Sequence, residues 1–395
     1  MSIPELVGQA RALLQTSQAE KALELLQPSL ESQAQNVSFL QIYGETLLEN
    51  NDLETAYDVL ARACELDPSA EAGSEKFFYL GQMVGGAQGL NALDIGLTKL
   101  KNQLSLVQND AGEDDAVLIE LSKLYSTKDS LISYLIKKLN QGIFAEIEIW
   151  MTDMCMEEEA ESKCDELIDY SLSLDVNNPE ALSLLSSIRI SQQRNDDAKE
   201  SLLKSWDLFR EKKTRLEESA NKIQSGNEAS NEDAFEVGLE YVELIQPLLT
   251  LARFAIELEL YDTAATIASN TQDINESILD AYYYEALAYL FNARKLFSGE
   301  TTTNEEDYRD IDIKLLKKSA SAEVKTLLNE AKSSLTQGFK IINTDAVAEA
   351  DPGLVEQVQE LLTALGGPVM SELMPQRGDV EEENWEDEIN SDDDN

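Results

Sequence analysis

The sequence contains no histidine and only three cysteines. Without His there is no imidazole general base, no Ser-His or Cys-His nucleophile and no His-ligated metal. Cys64, Cys155 and Cys164 form neither a disulfide framework nor a CxxC metal pair, so we expect them to be buried as small hydrophobic residues. No other spacing brings reactive groups together. We therefore predict that the protein is not an enzyme and that it needs no metal and no cofactor.

Long hydrophobic runs are also missing. No stretch approaches the ~20 consecutive apolar residues that a membrane helix needs. Residues 1–20 lack the basic start and uninterrupted apolar core of a secretory signal. Together with the three scattered cysteines, these features predict a reduced, soluble protein of the cytosol or nucleus that does not associate with a membrane.

Positive charge is scarce: 31 Lys and Arg stand against 76 Asp and Glu, a formal net charge of −45. A chain with this net charge repels phosphate backbones, so direct binding to nucleic acid is not expected. It attracts basic proteins instead. The chain is nevertheless not disordered throughout, because 43% of its 395 residues are hydrophobic and can supply a core. From 379 to 395 there are ten acidic residues and no basic ones, so this acidic tail is expected to be disordered.

What the sequence does contain is an internal repeat with a period of about 34 residues. Helical positions of the first unit recur in the second, from Leu6, Ala10, Leu13, Ser17, Ala22 and Leu26 to Leu40, Gly44, Leu47, Asn51, Ala56 and Leu60. Two helices of about 12 to 15 residues separated by a polar turn, at this period, are typical of tetratricopeptide repeats. The small residues let the second helix approach the first closely.

The period returns later, where Cys164 is followed one period on by Ala198, and again around Ala255, Tyr261 and Ala264. Between 85 and 140 the register weakens. We therefore predict an all-α tetratricopeptide-repeat superhelical solenoid over 1–365, followed by an acidic disordered tail over 366–395. The predicted units lie near 4–36, 38–70, 74–105, 144–177, 178–211 and 244–277, with capping helices to 365.

The groove of such a solenoid is the candidate binding site. At ~100° per residue, one face of each first helix lies away from the packing face and stays acidic from unit to unit. The predicted groove residues are Glu45, Glu49, Glu146, Asp153, Glu157, Glu180 and Glu257. Acids mixed with exposed aliphatic side chains suit a basic segment that carries some apolar residues. The alternative for each residue is an ordinary solvated charge on a helix.

The sequence also resembles a known family, the fungal dedicated assembly chaperones of the large-subunit ribosomal protein of the uL-four type. The resemblance rests on the opening Ile3-Pro-Glu-Leu-Val7, on the segment from Asn178 to Ser187, on the block from Leu251 to Ala265 and on the ending Trp385-Glu-Asp-Glu-Ile389. The repeat pattern alone is common. Its combination with this acidity and this tail is more specific.

The resemblance implies a function. Such chaperones capture the newly made basic ribosomal protein and shield its basic internal loop in the groove. They then escort it to the nucleus for large-subunit assembly, where an import receptor acts indirectly, with the client. Two alternatives stay open: a chaperone for another basic client such as a histone, which charge alone would suit, or a generic repeat scaffold.

Overall fold

The computed structural model describes residues 2–125, 127–224, 231–299, 308–344, 347 and 350–373. Helices connected by short turns make up almost all of these residues, and no strand occurs among them. The chain divides into two compact units, Met1–Ser201 and Leu202–Asn395, and helix α12 (Asn195–Gln224) spans the boundary between them.

Unit 1 is built of successive helices that pack pairwise. In chain order they are α1 (Ile3–Gln15), α2 (Ala19–Leu26), α3 (Leu30–Gln33), α4 (Val37–Glu49), α5 (Leu53–Leu66), α6 (Glu75–Val84), α7 (Gly86–Gln108), α8 (Ala116–Leu124), α9 (Lys128–Met151), α10 (Ala160–Leu174) and α11 (Pro179–Ser191).

Unit 2 follows the same plan. After α12 come α13 (Asn231–Val242), α14 (Ile245–Glu257), α15 (Tyr261–Ile274), α16 (Leu279–Ser298), α17 (Ile313–Leu316), α18 (Ala322–Ile342), α19 (Pro352–Ala364) and α20 (Met370–Leu373). Helices α14 and α15 pack together, as do α15 and α16, and α18 packs on both α16 and α19. The predicted all-α fold class is confirmed for the described residues, and each unit consists of helices that pack on one another.

The repeat period is visible in the turns between paired helices. Ser17 and Asn51, which occupy equivalent positions in successive units, both adopt the left-handed conformation, at φ 54° and 59°. After each of them the next N–H reaches back to a carbonyl five residues earlier, from Gln18 to Leu13 and from Asp52 to Leu47, both at 2.9 Å. This is the geometry of a Schellman C-cap, which satisfies a carbonyl that the ending helix leaves open.

Small residues bring the paired helices together, as the repeat predicts. Ala22 and Ala56 have no exposed surface. A Cβ added at Gly44 would lie 2.6 Å from the Leu60 side chain, so α4 and α5 are in close contact at this point. Glycine is therefore required at 44 for packing, with no unusual backbone angle involved.

The segment from α7 to α9 departs from the regular repeat, since α7 has 23 residues and α9 has 24. Its helices nevertheless also pack closely at glycines, as α4 and α5 do at Gly44. A Cβ at Gly142 of α9 would lie 2.7 Å from the Phe78 ring and 2.8 Å from Leu97, and a Cβ at Gly96 would lie 2.6 Å from Phe78. Two glycines on long helices thus make room for one buried aromatic ring.

Two predictions need comment. Cys64 and Cys164 are buried, but Cys155 is exposed, because it lies in the loop between α9 and α10, so the prediction of three buried thiols is wrong for Cys155. Of the predicted acidic tail, residues 366–373 are described and include α20, which contacts α18. The rest of the tail, 374–395, lies outside the described residues.

Candidate binding groove of unit 1

Two columns of residues, spaced at the repeat period, run across α1, α4 and α6. One column is Arg11, Glu45 and Tyr79, and each member lies one repeat period after the one before. The second column, one helical turn away, consists of Val7, Gln41 and Glu75. Helix α4 contacts both α1 and α6, so residues at equivalent positions become neighbours in space.

A groove of about 630 Å³ lies beside these columns; Val7, Arg11, Gln41 and Glu75 belong to its lining, whereas Glu45 and Tyr79 lie behind the lining, next to Arg11 and Glu75. The rest of the lining comes from the start of α4, the end of α5, the loop before α6, α7, α8 and the first half of α9. It includes Glu71, Val117, Glu120, Leu121, Leu124, Tyr134 and Lys138. The groove therefore combines carboxylates, two cations and a row of aliphatic side chains.

A buried ion pair holds the loop that forms one wall. The ammonium of Lys76, which has no exposed surface, lies 2.8 Å from a carboxylate oxygen of Asp67 and also donates to the Gly73 carbonyl. Asp67 further accepts hydrogen bonds from the backbone N–H groups of Glu71 and Ala72, at 2.8 and 2.9 Å. Burial alone would raise the pKa of Asp67, but these hydrogen bonds outweigh burial and hold the pKa below its ordinary value.

A second cluster holds α8, which forms the opposite wall. Asp115 caps this helix by accepting from the N–H groups of Val117 and Leu118, both at 3.0 Å. The same carboxylate lies 2.9 Å from the ammonium of Lys99 and accepts from the amide of Gln103 at 3.1 Å, both on α7. Helix α8 is thus fixed to α7 by one side chain, which leaves its apolar residues facing the groove.

Glu45 is the most buried of the predicted groove acids on α4. Burial raises the pKa of Glu45 above its ordinary value; Glu75 raises it further, and Arg11 and Lys138 lower it in part. The Tyr79 hydroxyl lies beside the Glu45 carboxylate, and burial together with the nearby acids raises the pKa of Tyr79. Burial and Glu75 thus outweigh the two cations at Glu45, which is a partly desolvated carboxylate.

Gln41 adds an unused hydrogen-bond acceptor to the groove. Its side chain is only 7% exposed, and its Nε2 donates to Glu75 at 3.3 Å. Its Oε1 atom is buried and has no hydrogen-bond partner among the described residues. Since buried polar atoms are nearly always paired, this oxygen is suited to accept a hydrogen bond from a bound segment.

The other predicted acids of unit 1 do not gather at one point. Glu49 lies one turn beyond Glu45 on α4, is exposed, and contributes to the charge around Tyr79. Glu146 on α9 is half-buried; burial raises the pKa of Glu146, and Lys101 and Lys163 lower it in part. Glu146 therefore has a different set of neighbours from Glu45.

Asp153, Glu157 and Glu180 lie on the surface. The Asp153 carboxylate accepts from the N–H of Gly86 at 2.8 Å and so caps α7, where a Cβ on Gly85 would collide with it. Glu157 is exposed in the loop before α10, and Glu180 is exposed in the first turn of α11. Asp153 consequently has a structural task that the sequence pattern did not reveal.

Glu257 lies in unit 2, at the end of α14. It is half-buried, and burial raises its pKa while Arg253, one turn earlier, lowers it. Burial also raises the pKa of Asp280 at the start of α16, and Arg253 and Asp280 both act on Tyr284. Glu257 and Glu45 are thus alike: each is a partly desolvated carboxylate whose pKa a nearby arginine lowers.

Sequence reasoning missed part of the groove although the signal for it was present. Arg11 and Tyr79 stand one period before and one period after Glu45, and Glu75 stands one period after Gln41. Stepping one period in each direction from Glu45, and one period forward from Gln41, would have found them. No such rule finds Tyr134, Lys138 or the aliphatic residues of α8, because this segment does not follow the repeat.

Neither a metal-binding group of side chains nor a membrane-spanning helix occurs among the described residues. No group of three or more Cys, Asp and Glu side chains is arranged to hold a metal ion there. In the same part of the chain, no helix is both long enough and apolar enough to span a bilayer.

Comparison with known proteins places the geometry in context. Residues 277–392 match the sequence profile of the ACL4 C-terminal domain. A Schizosaccharomyces pombe protein named probable assembly chaperone of rpl4 is 25% identical over 358 residues, which are 90% of this chain and 88% of that protein. An Emericella nidulans protein of the same name is 32% identical over 219 residues, 52% of this chain and 49% of that one.

A solved structure shares the fold. It is titled assembly chaperone of RpL4 (Acl4), residues 1–338, and is 20% identical, with a TM-score of 0.56 over 76% of this chain and all of that chain. The resemblance to the fungal assembly chaperones of this ribosomal protein, first indicated by the residues quoted above, is therefore confirmed by sequence and by fold.

Proposed function

We propose that this chain is an assembly chaperone for a basic large-subunit ribosomal protein of the L4 (uL-four) type, and that it acts by binding, without catalysis. The names of the two fungal relatives support the client, and the similarity to one of them extends over 90% of this chain. The observation that carries the mechanism is the groove itself, in which the carboxylates of Glu71, Glu75 and Glu120 lie among the aliphatic side chains of α8, with half-buried Glu45 behind Arg11 and Glu75.

The groove of unit 1 would receive part of the client's basic internal loop. A lysine or arginine of the loop would approach Glu45 and Glu75, and its backbone N–H groups could use the free Oε1 of Gln41. Apolar side chains of the loop would rest on Val117, Leu121 and Leu124 of α8. A loop that is made to lie against rRNA would otherwise bind any polyanion, so an acidic groove holds it until rRNA displaces it.

The proposal includes the route of the complex. The chain would meet its client in the cytoplasm and accompany it to the nucleus, with an import receptor engaged through the client. It would not contact nucleic acid itself, because a net charge of −45 repels phosphate. Fluorescent tagging of the chain, with and without depletion of the client, tests this route: nuclear signal should fall when the client is absent.

The binding test uses the full chain and the purified ribosomal protein. A soluble one-to-one complex that weakens with added salt is expected. The double variant Glu45→Gln with Glu75→Gln should bind on the order of 100-fold more weakly, since each lost charged contact is worth about 1.5 kcal/mol. The matched control Glu54→Gln with Glu65→Gln removes the same charge from exposed positions on α5 and should bind normally.

The outcomes separate the client from the groove. Equal binding by both double variants, or by a client that lacks its internal loop, would disprove the groove while keeping the client. A core histone that displaces the ribosomal protein in competition would disprove the client. Asp153→Lys is not a suitable variant here, because it would remove the cap of α7 as well as a surface charge.

A further inference from the structure

A basic helix face stands out in this acidic chain. Residues 313–342 hold six lysines and two glutamates, whereas the whole sequence has more than two acids for every base. On α18 the side chains Lys325, Lys332 and Lys340 fall on one side of the helix, because at ~100° per residue they lie within about 80° of each other. We call these three residues the lysine face; at ~1.5 Å per residue it is about 23 Å long.

The lysine face is not neutralised within the fold. Lys325 and Lys340 are exposed and Lys332 is half-exposed. Lys340 donates to the neutral amide oxygen of Gln337 at 2.7 Å, and the ammonium groups of Lys325 and Lys332 have no hydrogen-bond or ion-pair partner among the described residues. Elsewhere in the chain, lysines such as Lys76 and Lys99 pair with acids, so an unpaired row is a distinctive surface.

The residues that precede the acidic tail lie against α18, beside the lysine face. The N–H of Val369 donates to the Thr336 hydroxyl at 3.1 Å, and Glu372 of α20 accepts from Ser333 at 3.0 Å and from Gln337 at 2.9 Å. Thr336 lies within about 20° of Lys325 around the helix, so residues 369–372 are seated on or beside the lysine face. Lys317, which donates to the Ala364 carbonyl at 2.6 Å, adds a cation next to the same stretch.

We propose that the acidic segment 379–388 docks on the lysine face of its own chain when no client is bound. Seven of these ten residues are acidic and none is basic. Six residues from Leu373 to Asp379 can span up to about 20 Å, and ten residues can span up to about 33 Å, which is enough for 379–388 to reach all three lysines. The profile match over 277–392 places the lysine face and the acidic segment in one continuous family domain.

Covalent tethering favours the chain's own acidic segment over a second copy of the chain or a free polyanion as the occupant of the lysine face. A short linker gives an effective concentration in the millimolar range, which a second copy or a free polyanion does not reach in dilute solution. Nucleic acid is repelled by the rest of the chain, and a basic client is repelled by the lysines themselves. The docking holds whatever the client is, and because its contacts are exposed it reverses as salt is added.

Zero-length cross-linking between carboxylates and amines tests the docking in the full, client-free chain. Mass spectrometry should find links from Lys325, Lys332 or Lys340 to the acids of 379–388, at least about fivefold fewer at high salt. In a mixture of light and heavy-isotope chains, the linked peptides should come from one chain. Links between chains would make a second copy the occupant, and the absence of links to the lysine face would overturn the proposal.

A second measurement does not depend on lysine chemistry. A Glu-specific protease should cut 381–388 several-fold faster in a variant with Lys325, Lys332 and Lys340 changed to Gln. Changing the same three residues to Arg should preserve the wild-type rate. The matched control changes Lys21, Lys123 and Lys163 to Gln in unit 1 and should also cut at the wild-type rate. Equal rates in all four proteins, or retention of poly-uridine RNA by the wild-type face, would refute the docking.

Discussion

The regular pair α4–α5 and the irregular segment α7–α9 both build the groove of unit 1, and they do so by different means. In the regular pair, the close approach at Gly44 and the position of Glu45 both follow the repeat period. In the irregular segment, an added helix, α8, is fixed by one polar cluster and brings aliphatic side chains to the groove. The repeat thus supplies the charged part of the site, and the departure from it supplies the apolar part.

The largest expected effect comes from the packing of the irregular segment. Gly142→Leu would force a side chain into the space that Phe78 and Leu97 occupy, and should lower the free energy of unfolding by about 3 kcal/mol. Urea unfolding followed by circular dichroism measures the change. The control is Gly8→Ala, since a Cβ on Gly8 of α1 meets nothing within 4 Å. This variant should be more stable by about 0.5–1 kcal/mol, because alanine favours a helix. Equal midpoints for the two variants would show that α9 is not closely packed.

An intermediate effect is expected from the polar cluster that fixes α8. Asp115→Ala removes a helix cap and leaves Lys99 without one of its partners, which should cost about 2–3 kcal/mol. Hydrogen exchange should localise the loss to 116–124. The matched change in the regular pair is Asp52→Ala, which removes only a cap to Thr55 and should cost about 1 kcal/mol. If the two variants lose the same amount, the link to Lys99 contributes nothing.

The pH dependence of the Asp115 effect has a defined sign. Burial would raise the pKa of Asp115, but hydrogen bonds from Leu118, Lys99 and Gln103 outweigh it and hold the pKa below its ordinary value. A lowered pKa stabilises the fold above the ordinary carboxyl range near ~3.9, and the contribution is lost as the pH falls through the lowered value. The difference between wild type and Asp115→Ala should therefore be constant from pH 7 to about pH 5 and shrink in stronger acid.

The contrast between the regular pair and the irregular segment also explains which contacts could be predicted from the sequence. The repeat period determines helix pairing, the left-handed turns at Ser17 and Asn51 and the small residues at Ala22 and Ala56, because each repeat packs on a copy of itself. It also places Glu45 in one column with Arg11 and Tyr79. It could not show that Asp153 caps α7, since that contact joins residues 67 positions apart in a segment without a repeat. Whether the seven predicted acids bind a client stays a prediction.

The smallest expected effect is on Glu45, and its sign differs from that of Asp115. Because burial raises the pKa of Glu45, the folded chain disfavours its ionised form at pH 7. Glu45→Gln should therefore increase the free energy of unfolding by up to about 1 kcal/mol. The gain should disappear as the pH falls below the ordinary range of a carboxyl pKa, because Glu45 is then protonated in both the folded and the unfolded state.

Glu49→Gln, exposed on the same helix, is the control and should change stability by less than about 0.5 kcal/mol. Thermal unfolding at pH 7 and pH 4 measures both. A loss of stability in Glu45→Gln would mean that Arg11 and Lys138 already compensate this carboxylate, and the groove would then have no physical reason to recruit a cation. A gain in stability that accompanies weaker client binding would instead identify Glu45 as a residue whose charge serves binding at the expense of the fold.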